Sequence, residues 1–208
     1  MRGKYLSWAF LVFLATNCSV VLGVALFHWN VGAIIILYWL ESIIIGVAGI
    51  VKVAKVKIHS KQDSGAPFSL AYFIVLFIIY MAISGVFVYS YLYQNYDLAE
   101  IRANVFSPAF AVVFLLLAAN HIYSYFRNFT QRNELHINLP IEQTGKSLRR
   151  VWLVFAVLFF AAFFVTLAQD RTQTGLFVYA LILLKIVLDS HEHRIEHLPL
   201  HKKYLSPC

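Results

Sequence analysis

The sequence predicts an all-α integral membrane bundle of six transmembrane helices, with both termini on the cytoplasmic side. Three observations predict it. The composition is 61% hydrophobic and 13% charged, against about 25% charged in a typical soluble domain, and mean hydropathy is +0.72. Apolar runs near the roughly 20 residues needed to cross a bilayer core recur along the chain. Basic residues fall almost entirely in alternate connections between those runs. No connecting segment is able to bury a core of its own, so residues 1–208 are read as a single transmembrane domain.

The runs are 5–27, 31–51, 68–92, 108–126, 151–169 and 175–192, followed by a polar tail over 193–208. The first follows Arg2 and Lys4, as a secretion signal would. Its apolar stretch is longer than a signal core and no small-x-small site follows, so it reads as a retained helix. The second and third are separated by a polar connector, His59 to Pro67, that ends in Gly65 and Pro67 as breakers. The fourth and fifth flank the longest connection, 127–148, polar and mixed in charge. Trp8, Trp29, Tyr89, Tyr91, Tyr93 and Trp152 lie near run ends, where an aromatic belt is expected. No internal repeat is visible, which argues against an inverted-repeat transporter.

Orientation follows from the seventeen Lys and Arg residues. With the N-terminus inside, fourteen fall on the cytoplasmic side, only Arg102 and Arg171 fall outside, and Lys185 is intramembrane. The same asymmetry accounts for the net charge of +7 without nucleic acid, and no nucleic-acid recognition motif accompanies it. The expected location is the cell membrane, and the expected partners are membrane lipids, other membrane proteins or further copies of the chain. Cys18 and Cys208 make no disulfide framework. Asn17-Cys18-Ser19 and Asn128-Phe129-Thr130 match the glycosylation pattern, but one falls in a helix and the other in a cytoplasmic loop, so both read as chance.

The ionisable residues inside the apolar runs are the candidate site. A charge at mid-bilayer costs at least ~2.5–3.5 kcal/mol, so such residues face the bundle interior and often mark function. Glu41 lies ten residues into the second run and Lys185 ten into the sixth, each about 15 Å deep. His121 and Asp189 come out at roughly 20 Å, one turn nearer the cytoplasm. Glu41 and Lys185 at one depth form a candidate charge pair, which by itself would only neutralise charge and fix register. Lys185 and Asp189, spaced i, i+4, are able to pair along their own helix instead.

Lys185, Asp189 and His193 share one helix face, and His197 continues the series. His193-x-x-x-His197 lets two imidazoles meet one metal from a single helix. With Asp189 and His121 they supply the ligands of a catalytic divalent site, zinc for instance, with Glu41 as general base. The bland alternatives carry equal weight: His121 as an interhelical hydrogen-bonder beside Asn120, and the tail as an interfacial segment. Ser84-Gly85 is a poor match to an intramembrane serine protease, because Ala82 stands where a glycine belongs.

These residues also form a pattern. Tyr38-Trp39-Leu40-Glu41-Ser42 with Gly46 and Lys52, then Asn120-His121 with Ser124, Phe126, Asn128 and Glu134, then Lys185-x-x-x-Asp189-x-x-x-His193-x-x-Glu196-His197 occur in order. The pattern resembles an uncharacterised membrane family known as domain of unknown function 6498, over about residues 29–197. The resemblance implies no activity. It implies that Glu41, His121, Lys185, Asp189, His193 and His197 are the positions to test. The chain departs from the family pattern where Phe77 to Tyr80, Ser84 to Phe87 and Val151 to Phe160 carry no histidine.

The leading expectation is therefore a metal-dependent membrane enzyme, hydrolase-like, with its site in the cytoplasmic half. The alternatives are a proton-coupled or small-solute transporter using Glu41, Lys185 and Asp189, and a non-catalytic membrane scaffold.

Overall fold

The computed structural model describes residues 8–59, 66–130, 140–167 and 171–196. Over them the protein is all-α. The helices are α1 Trp8–Phe27, α2 Val31–His59, α3 Ala66–Asn95, α4 Leu98–Val105, α5 Pro108–Ser124, α6 Pro140–Leu167 and α7 Arg171–Glu196. The end of α5 widens into a π-helical segment, Tyr125–Thr130. Three helices are long and apolar enough to cross a membrane, over Val31–Ile58, Phe68–Asn95 and Pro140–Phe164. The pair α4–α5, bent by 60°, makes a fourth if it counts as one broken span. The first and sixth predicted runs are helical as well, as α1 and α7.

α2 is the hub. It packs against α6, α3, α5 and α4, while α1 lies against α5 and α7, and α6 joins α3 to α7. Its apolar core runs through Ile35, Leu37, Tyr38 and Ile45, and meets Leu117 of α5, Leu158 of α6 and Ile182 of α7. Close approach to α3 needs Gly46, because a Cβ there would overlap the Phe77 ring. The turn into α2 is fixed by His28 in the left-handed region (φ 52°) and by Asn30, whose Oδ1 accepts from Ala33 N at 2.9 Å.

Two parts of the chain differ from the sequence reading. The segment 127–148 is not all connection: α6 begins at Pro140, eleven residues before the predicted 151. Proline suits the first helical turn, and Gln143, Thr144 and Ser147 are buried polar side chains there. Thr144 Oγ1 donates to Pro140 O (3.0 Å) and Ser69 O (3.4 Å), so the polar turns are internally satisfied. The connection before 108 also carries α4, a short helix capped by Asp97 Oδ1 accepting from Ala99 N at 2.9 Å. Asp97-x-x-Glu100 is the sequence signal for that start.

Candidate functional site

Glu41 enters the bundle from the middle of α2, buried with 2% of its surface exposed. Lys185 reaches it from α7, 1% exposed, with Nζ 3.0 Å from Oε2 and 3.2 Å from Oε1. Only the Oε1 contact has hydrogen-bond geometry; Oε2 is held as an ion pair. The same Nζ is 2.5 Å from Asp189 Oδ2 one turn further along α7, and 3.3 Å from Asn17 Oδ1 of α1. It also lies 4.9 Å from the centroid of the Tyr38 ring, within cation–π range. Lys185 thus pairs across the bundle and along its own helix at once.

The fifth member comes from α5. His121 Nε2 is 3.1 Å from Glu41 Oε1, and its side chain is 13% exposed. An ion-paired carboxylate is acceptor-only, so the Nε2 N–H donates in this contact. Helices α1, α2, α5 and α7 therefore converge on one polar cluster inside an apolar bundle. Unpaired, these charges would be very costly there; hydrogen-bonded to one another they are tolerated.

His121 links the cluster to two openings. One is a recess lined by Gly49, Lys52, Ser124, Ser147 and Arg150 as well as His121. The other is an apolar groove between α2 and α5, about 410 Å³, lined by Ile43, Val47, Val51, Ile122 and Phe126 among others. Beside them the π-helical segment holds Tyr125 and Phe129, whose rings stack with centroids 5.5 Å apart. Lys55 lies over Tyr125 and Lys52 over Phe129, at 5.3 and 5.8 Å.

The structure gathers Glu41, His121, Lys185 and Asp189. It says nothing of the rest of the metal set: the side chain of His193 and the whole of His197 lie outside the described residues. Among the described residues no group of three or more His, Cys, Asp and Glu side chains is placed to hold a metal. Glu41 and Asp189 both face the Lys185 ammonium. Asn17 is the member that sequence reasoning missed. Its signal was an amide inside an apolar run, passed over as a chance glycosylation match. Ser84 serves structure: its Oγ accepts from Trp39 Nε1 at 3.2 Å and donates to Met81 O at 3.4 Å.

A family model described as "Family of unknown function (DUF6498)" matches residues 1–205. The chain belongs to this family. For DUF6498 the match brings a grouping and no activity. No curated protein and no solved structure matches the chain.

Proposed function

We propose that this DUF6498 member is a six-span membrane protein with both termini in the cytoplasm, and that its cluster is the acid–base centre of a hydrolase-like membrane enzyme. The observation that carries this is the 3.1 Å bond from His121 Nε2 to buried Glu41 on a histidine that also lines the recess. A carboxylate on one ring nitrogen fixes the imidazole's orientation and tautomer, which leaves the other nitrogen to exchange a proton with water or substrate. Lys185 holds Glu41 in place, and Asn17 and Asp189 hold Lys185. The recess lies toward the ends of α2 and α6 that carry Lys52, Lys55, Lys57, Lys146, Arg149 and Arg150, the cytoplasmic side by positive charge.

One observation favours a second reading. The contacts run unbroken from His121 through Glu41 and Lys185 to Asp189, as a proton path in a transporter would. A single pair of experiments separates the two. In liposomes with an internal pH dye, the enzyme reading predicts no proton flux from the wild-type chain. It further predicts membrane-lipid hydrolysis that falls by about 10²–10⁴-fold in His121→Gln, the range of a general base. Wild-type proton flux abolished by Glu41→Gln would move the function to transport. Hydrolysis lost to a chelator and restored by zinc would reinstate the ligand set of His121, Asp189, His193 and His197.

A further inference from the structure

The recess beside His121 is small. Its volume is about 20 Å³, and roughly 10–15 Å³ is the least that holds a water. It has room for one water and not for a substrate headgroup. Three helices wall it: α2 contributes Gly49 and Lys52, α5 His121 and Ser124, and α6 Ser147 and Arg150. Small size at Gly49 keeps it open, since a Cβ there would come to 3.0 Å from Ser147 Cβ.

Space alone does not hold a water, which needs roughly two to four polar partners. Two groups on the recess have a hydrogen bond to spare. His121 spends Nε2 on Glu41 at 3.1 Å; among the described residues its Nδ1 has no partner, and it is not sealed inside the bundle. Ser147 Oγ accepts from Gln143 Nε2 at 3.4 Å, and among the described residues its own O–H has no acceptor. The two stand on different helices, α5 and α6, around one cavity. Water suits both because it donates and accepts at once. It accepts from the Ser147 hydroxyl and donates to Nδ1 of a neutral ring, or accepts from Nδ1–H of an imidazolium. Lys52, Ser124 and Arg150 have partners of their own and serve here only as walls.

We propose that the recess is the water site of the acid–base centre: a single water bridges Ser147 Oγ and His121 Nδ1, and His121 takes its proton. In that step one water O–H bond breaks and the proton passes to Nδ1. The electron pair of that bond stays on the oxygen, which becomes the attacking atom of the hydrolysis. The imidazolium so formed is held against Glu41 by the Nε2 hydrogen bond. The inference rests on the acid–base reading only in calling the water a reactant; the place of the water rests on the cavity and its two donors and acceptors.

The test is solid-state NMR of the full chain in lipid bilayers, with ¹⁵N-labelled histidine, reading polarisation transfer from water protons to the ring nitrogens. The His121 signals are identified by their loss in His121→Gln. The wild type is expected to show transfer from water to His121 Nδ1. Ser147→Val removes the hydroxyl and fills the recess, and should lose both that transfer and lipid hydrolysis. A second measurement adds no bulk beyond one sulfur: Ser147→Cys, made together with Cys18→Ala and Cys208→Ala, should resist a water-soluble methanethiosulfonate reagent, which is larger than the recess. Absence of transfer in the wild type, or undiminished transfer in folded Ser147→Val, would overturn the proposal. So would rapid labelling of Ser147→Cys, which would make the recess a wider channel. A water found at His121 in a chain that hydrolyses no lipid would sink the acid–base reading and leave the water site standing. Hydrolysis without a water at His121 would do the reverse.

Discussion

α2 and α3 are near twins in length and composition, 29 and 30 residues of mostly apolar sequence, and they sit in opposite surroundings. α2 is enclosed by α3, α4, α5 and α6, and turns Glu41 and Tyr38 into the interior. α3 buries Phe73, Phe77, Tyr80 and Ser84 against the bundle and leaves Val75, Ile78, Ile79, Ile83 and Val86 exposed, Val86 at 67%. In the proposed membrane arrangement lipid covers that outer face. Lipid tails are as apolar as these side chains, so hydrophobicity cannot tell a central helix from a peripheral one. What tells them apart is the polar residue: α2 carries a charge that must find partners inside the bundle.

That contrast is sharpened most by Lys185→Met. Removing the ammonium leaves the Glu41 and Asp189 carboxylates without their cation. Breaking a buried pair from one side costs about 3–5 kcal/mol, measured as a loss in unfolding free energy in detergent micelles. An unchanged unfolding transition would mean that α2 is no more committed to its surroundings than α3. Next in size is Gly46→Val, which drives a side chain into the Phe77 ring where α2 and α3 touch. Overpacking of this kind costs about 1–3 kcal/mol by the same assay. The smallest effect belongs to Ile79→Ala on the outer face of α3, 47% exposed, expected to stay within about 0.5 kcal/mol. A loss of several kcal/mol there would break the comparison, since it would show that face packed against another protein surface.

How much of this was legible in the sequence depends on the kind of signal. The runs that became α2 and α3 were clear because hydropathy registers long apolar stretches, although both helices extend past the predicted ends, α2 to His59 and α3 to Asn95. The first three turns of α6 were invisible to the same signal, because Gln143, Thr144 and Ser147 are polar yet buried. α4 was missed although Asp97 and Glu100 announced a helix start, since eight residues give little periodicity. In the site, depth alone put Glu41 and Lys185 at one level, and their side chains meet at 3.0 Å. Depth could not say which way Lys185 would turn; its four-carbon stem lets one ammonium serve Glu41, Asp189 and Asn17 together. Nor could it reveal the recess. Lys52 and Arg150 are 98 positions apart, and only the packing of α2 against α6 brings them to one cavity.

The most direct test of the account is a double-mutant cycle joining α2 to α7 through Glu41→Gln and Lys185→Met. Unfolding free energies of the wild type, both single variants and the double variant give the coupling. A bonded buried pair predicts an interaction energy of about 1–3 kcal/mol, with the double variant more stable than the single losses sum to. Losses that simply add would contradict the claim that these two residues hold one another, and with it the centre built around them.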